Sequence, residues 1–149
     1  MKIEFTKDEQ YIRWHLTQPH VWRMSIDDQT AWLNPDIFFI PVDHFKWVKV
    51  DGYGMFMLEK IDDDTCRVHL ALNKSVIGKA VMICAEVIKW FFNNTYYKSI
   101  EALIPGNNKL AVMLARKSRM NLIKTLSRSF MKDGVAQDQY LFKLDMENV

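Results

Sequence analysis

Two cysteines in 149 residues are too few for a disulfide framework, and Cys66 and Cys84 stand at no metal-ligand spacing. Both are expected to be buried free thiols in a reducing compartment. His15, His20 and His44 also fall at no zinc spacing, so no metal site is expected. No apolar run reaches the ~20 residues that cross a bilayer. The opening stretch MKIEFTKDEQ lacks the basic-then-apolar layout of a signal peptide, which leads to the expectation of a cytoplasmic chain without membrane contact. There is no internal repeat, low-complexity tract or linker. Residues 1–149 are therefore expected to fold as one domain, and 49% hydrophobic with 13% aromatic content suffices for one sizeable core.

Carboxylates are missing from one long stretch. Between Glu101 and Asp133 there is none, while Lys109, Arg116, Lys117, Arg119, Lys124, Arg128 and Lys132 all fall inside. Net charge is only +2, yet residues 1–64 hold 12 acidic and 7 basic side chains, and residues 65–149 hold 6 and 13. A segment of one sign raises the local concentration of an anionic partner. A nucleotide-bearing cofactor such as coenzyme A meets that description. Nucleic acid is the less favoured partner, and a solvated basic face is the simple alternative.

What is present reads as alternating short strands followed by helices. Thr6 and Glu9 have capping-box spacing before Tyr11, Ile12, Trp14 and Leu16, which predicts a helix that Pro19 ends. Ser25 to Pro35 is turn-rich, and Ile37 to Ile40 has strand character. Phe45–Val50, Tyr53–Ile61 and Cys66–Leu72 alternate as an antiparallel meander, joined by Asp51-Gly52 and by the acidic turn Asp62-Asp63-Asp64. From Lys79 to Phe92 the period changes to that of a helix, with Ala80, Cys84, Val87, Ile88 and Phe91 on its inner face. Ser99–Ile104 is a strand, and Asn108–Lys117 is a helix with Ala111, Leu114 and Ala115 inward. Asn121–Phe130 and Val135–Leu144 form a closing hairpin around Lys132-Asp133-Gly134. The strand–helix–strand unit implies a parallel crossover with its helix on the sheet. The fold class expected is α+β, a mixed sheet with flanking helices.

Two segments carry a family resemblance. Ser75-Val76-Ile77-Gly78-Lys79-Ala80, between a strand and a helix, is similar to the Q/R-x-x-G-x-G/A turn of the GNAT superfamily of acyl-CoA-dependent N-acetyltransferases. Gly78 and Ala80 match, and Ser75 replaces the leading Gln or Arg. Such a turn offers backbone N–H groups and a helix N-terminus to a pyrophosphate. Downstream, the stretch from Ile104 to Met120 resembles the family's N-x-x-A-x-x-L-x-x-K-x-G-F helix, with Asn108, Ala111, Leu114, Lys117 and Met120 in register. Here Arg119 stands for the usual Gly, Met120 for the aromatic, and Ala115 for the Tyr that serves many members as general acid.

The resemblance covers Phe45 to Leu144 and implies a mostly antiparallel sheet with a splayed parallel pair. Residues 1–44 would form the substrate side. It implies acetyl-CoA held by Leu70, Leu72, Lys74, Ser75, Ile77, Gly78, Lys79, Ala80 and Asn108. Acetyl transfer needs a group that accepts a proton from the attacking amine. His69 is the first candidate, and Asp64, at the mouth of the same strand, is the second. One function class is an N-acetyltransferase acting on a small-molecule or peptide amine, with the acidic N-terminal half suiting a cationic one. The other is a GNAT-fold module without chemistry, phage-encoded and used in binding or assembly, with a protein partner or a second copy of the chain.

Overall fold

The computed structural model describes residues 1–149. Chain order begins with β1 (Ile3–Thr6), α1 (Glu9–Leu16) and α2 (Pro19–Ser25), followed by β2 (Lys46–Val50), β3 (Gly54–Lys60) and β4 (Thr65–Leu72). A three-ten helix (Lys74–Lys79) leads into α3 (Ala80–Asn94), then β5 (Ser99–Pro105), α4 (Lys109–Lys117), β6 (Asn121–Lys132) and β7 (Val135–Asp145). The strands form one seven-stranded sheet in the order β1-β2-β3-β4-β5-β7-β6. Only β4 and β5 pair in parallel, through the α3 crossover.

Period-two alternation sorts the strand side chains onto two faces. On one face Val48, Val50, Phe56, Leu58, Cys66 and Leu72 meet Ala80, Ile83, Cys84, Val87 and Phe91 of α3. Ala102, Ile104 and Phe142 continue this layer against Ala115 of α4. On the opposite face Trp47, Met55 and Ala71 pack beneath Ile12 of α1, Val21 of α2 and Ile40. Burying each large apolar side chain contributes roughly 1.5–3 kcal/mol, so both layers hold the sheet. Cys66 and Cys84 are buried free thiols, and burial pushes them up to about 12 and about 11. No helix is long and apolar enough to cross a membrane.

The meander, the crossover and the closing hairpin lie where the sequence places them, and the N-terminal third differs. Asp8, not Thr6, caps α1: its Oδ1 accepts from the N–H groups of Gln10 and Tyr11 at 3.1 and 3.2 Å. Thr6 instead ends β1 and accepts from the Asp8 N–H. Pro19 does stand beyond the end of α1, but it also occupies the first turn of α2, where its missing N–H costs nothing. Ile37–Ile40 forms no strand. The free edge of β2 is taken by β1, so this segment turns after Asn34-Pro35 and sends Ile40 into the core.

Candidate active site

The parallel pair is short and then opens. β4 and β5 pair only at Thr65–Ser99, Cys66–Ile100 and Arg67–Glu101. Beyond that rung each strand stays registered with its outer neighbour, β4 with β3 as far as Leu72 and β5 with β7 as far as Pro105. The gap is therefore built into the sheet, because both diverging strands are held from behind.

Asp64 O accepts from Ser99 N–H at 3.0 Å, which sets which β4 residues face β5. By alternation the main-chain groups of Cys66, Val68, Leu70 and Leu72 face that side; the Arg67–Glu101 rung engages the Val68 N–H, and beyond it the Val68 carbonyl and both main-chain groups of Leu70 have no strand opposite them. The Leu72 carbonyl is met by His20 Nε2 at 2.7 Å. That contact requires an N–H at Nε2 and ties α2 to the open end of β4. A cavity of about 580 Å³ runs through the gap. Ile77, Cys84, Ile88, Ala111 and Leu114 line it on the α3/α4 face, and Leu16, Met24, Met57, Leu103 and Phe130 on the α1/α2 face.

His69 lies in the cavity wall on the α1/α2 face, level with Met57 of β3. Its Nε2 is 3.4 Å from Glu59 Oε2. Although 44% of the side chain meets solvent, loss of water around the ring lowers its pKa below the ordinary 6.5. The Glu59 carboxylate opposes this shift, and Arg67 adds to it. With Nε2–H directed at Glu59, Nδ1 carries the lone pair.

One rung below, the registers place Glu59, Arg67, Glu101 and Lys143 side by side across four strands, with alternating sign. Arg67 donates Nε–H and Nη2–H to Glu101 Oε1 at 2.9 and 2.6 Å, and Glu101 is buried. This pair pins the apex of the gap. Sequence reading singles out neither residue, since they become partners only when β4 and β5 are in register. His20 escapes it for the same reason.

The other sequence candidates separate. Asp64 lies at the paired end of β4, away from the opening. It does not line the cavity, and its carboxylate is 3.8 Å from Lys98 Nζ. Lys74, Ser75, Ile77, Gly78 and Lys79 form the three-ten helix that runs into α3, with Ala80 as the first residue of α3. Gly78 is exposed, and a Cβ there would meet nothing within 4 Å. No side chain caps the N-terminus of α3 and no acidic residue sits in its first turn, although the three-ten helix runs straight into it and the Ala80 N–H is taken by the Ile77 carbonyl. Asn108 lines the cavity and also caps α4, its Oδ1 accepting from Ala111 N–H at 3.2 Å. Of the basic stretch, Lys109, Arg116 and Lys117 line a second groove of about 490 Å³ beside α4. No group of three or more His, Cys, Asp or Glu side chains is placed to hold a metal ion.

No sequence-family model and no curated protein sequence matches this chain. Solved structures do. A spermidine N-acetyltransferase from Vibrio cholerae, in complex with CoA and spermine, superposes with a TM-score of 0.77 at 13% identity, covering 99% of this chain and 96% of that one. The chain has the GNAT acetyltransferase fold. A GNAT-family acetyltransferase from Bacillus anthracis gives 0.72 at 15% identity, covering 99% and 96%. A putative phosphinothricin N-acetyltransferase gives 0.73 at 12%, covering 97% and 98%. The GNAT fold thus extends over β1, α1 and α2 as well as the segments whose sequence resembles the family.

Proposed function

We propose that this chain is an N-acetyltransferase that uses acetyl-CoA and passes the acetyl group directly to an amine. The observation that carries the proposal is the cavity through the β4–β5 gap, which has unpaired main-chain groups on one edge and, close by in the chain, the exposed turn at Gly78 leading into an α3 that no side chain caps and no acidic residue begins. These features suit an extended arm ending in a pyrophosphate. Leu70 would hydrogen-bond the arm through its main chain, and Ile77 would pack against it. Gly78, Ala80 and the first turn of α3 would take the diphosphate, with Lys74, Ser75 and Lys79 at the rim; Leu72 would contribute only its N–H, since His20 occupies its carbonyl. Bound there, acetyl-CoA supplies an acetyl group activated as a thioester.

His69 takes a proton from the attacking amine at Nδ1, while Glu59 steadies the imidazolium that forms. The low pKa keeps the ring neutral, and so competent, at pH 7. Asp64 has no part in this assignment. Ala115, buried against the sheet, offers no proton to the departing sulfur, so the thiolate leaves unprotonated or takes its proton from water. The enzyme should accordingly be slow.

Calorimetric titration with acetyl-CoA tests the reading. Sub-millimolar binding is expected, and Gly78→Glu should abolish it by bulk and like charge while the melting temperature holds. Unchanged affinity in that variant would move the anion away from this turn.

One observation favours the second reading, a binding module without chemistry. Trp32, Ile37 and Phe39 are 78%, 77% and 85% exposed, all on the segment between α2 and β2. Absence of thiol release with any amine, in a protein that binds acetyl-CoA, would select this reading.

A further inference from the structure

The acceptor side of the cavity has a chemistry that narrows the substrate; the inference rests on the transferase reading above. Its walls on the α1/α2 face are mostly thioether, aliphatic and phenyl groups, from Met24, Met57, Leu16, Leu103 and Phe130, beside the polar His20, Ser25, His69 and Gln139. Among all the residues that line the cavity there is no Asp or Glu. Glu101, the nearest buried carboxylate, is occupied by Arg67, and Glu59 faces His69. Arg67, which does line the cavity, is neutralised by Glu101 and leaves no free anion there. The acidic N-terminal half expected to attract a cationic amine therefore keeps its carboxylates off this chamber. A polycation entering it would lose water from several charges and find no free anion. An apolar body gains from the same walls.

The hairpin tip is also tied to α2. Lys132 Nζ, at the end of β6, donates to the carbonyls of Arg23 and Ile26 at the C-terminal end of α2. Asp28 accepts from the N–H groups of Asp133 and Gly134 at 2.7 and 2.9 Å, and its own N–H donates to Met131 O at 3.0 Å. These contacts clasp the hairpin tip to the C-terminal end of α2 and the segment after it, next in the chain to the lining residues Met24 and Phe130. With about 580 Å³ in all, shared with the arm of the cofactor, the cavity leaves room for a small acceptor body.

We propose that the acceptor is a small primary amine carried on an apolar, phenyl-sized body, and not a polyamine or the chain end of a folded protein. The test compares 2-phenylethylamine, spermidine and a folded protein with a free N-terminus in a thiol-release assay with acetyl-CoA. For the wild type, kcat/KM for 2-phenylethylamine should exceed that for spermidine by at least about tenfold. The folded protein should give only the buffer rate.

Met24→Glu, on the half-exposed surface of α2, should bring the ratio of the two amines down by about tenfold at an unchanged melting temperature. Leu103→Glu repeats the test from the opposite wall. A wild type that prefers spermidine, treats both amines alike or acetylates the folded protein overturns the inference and leaves the transferase reading standing. If acetyl-CoA binds but nothing releases thiol, the transferase reading fails instead. The chamber is then judged by titrating both amines into CoA-saturated protein: tighter binding of 2-phenylethylamine upholds the inference, and equal or tighter binding of spermidine overturns it.

Discussion

Removing water from an imidazole disfavours its charged form, and at His69 this outweighs the attraction of the Glu59 carboxylate. A base so placed is deprotonated over most of the useful pH range, at some cost in basicity. The rate should rise with pH through an apparent pKa below 6.5 and then level. His69→Ala should lower kcat by roughly 10²- to 10⁴-fold and leave acetyl-CoA affinity alone. Because Glu59 raises the His69 pKa, Glu59→Gln should move the rising limb to lower pH. A pH profile that survives in His69→Ala would assign the base elsewhere. His69 was legible as a candidate because histidine is the side chain whose ordinary pKa lies nearest the working range. Its partner Glu59 was not, since the two lie ten residues apart and meet only across the β3–β4 register.

Elements are held to one another at few points, and Gly54 is one. It opens β3 with φ +149°, opposite Leu72, and Tyr11 of α1 donates its hydroxyl to the Gly54 carbonyl at 2.7 Å. A Cβ there would fall 2.3 Å from Ala71 O and 2.8 Å from Leu72 Cα, both main-chain atoms of the strand that borders the gap. Gly54→Ala should therefore cost more than about 2 kcal/mol in urea unfolding. A variant with the wild-type midpoint would mean that β4 can shift to admit the methyl group. Most helices and strands of residues 45–144 were readable because they bury a stripe of their own period, and β6, exposed along most of its length, was readable from the Lys132-Asp133-Gly134 turn that follows it. The N-terminal elements were less so: β1 has only four residues, and a proline that follows one helix also begins the next.

Taken over the whole molecule, the shifted groups set a pH range for stability. His15 is buried, with Nδ1 2.9 Å from Tyr11 O, and desolvation lowers its pKa as it does that of His69. For both, the unfolded chain binds protons more readily than the folded one. Their contribution is complete above 6.5 and is lost as pH falls through the lower folded values. Asp62, lowered chiefly by the N–H of Asp64, adds its own loss only below 3.8. The melting temperature should thus begin to fall just below 6.5, well before that carboxylate titrates, and His15→Gln should make the first decline shallower. A flat melting temperature down to about pH 5 would contradict the assignment.

The sequence by itself determined the α+β class, the meander, the crossover through α3 and the closing hairpin, because period and turn chemistry are local properties of the chain. It also marked the small residues before α3 and the missing hydroxyl at Ala115. Only the tertiary structure decided where β4 and β5 part, since a register is a relation between segments separated by a whole helix. From that register follow the Arg67–Glu101 pin, the His20 contact with Leu72 and the clasp from Asp28 and Lys132 to their distant partners. Charge counts along the chain pointed to an acidic substrate side. Folding turned those carboxylates toward solvent, toward backbone N–H groups and, at Glu59, toward His69, because an unpaired charge costs most where water is excluded, and it left the chamber mostly apolar.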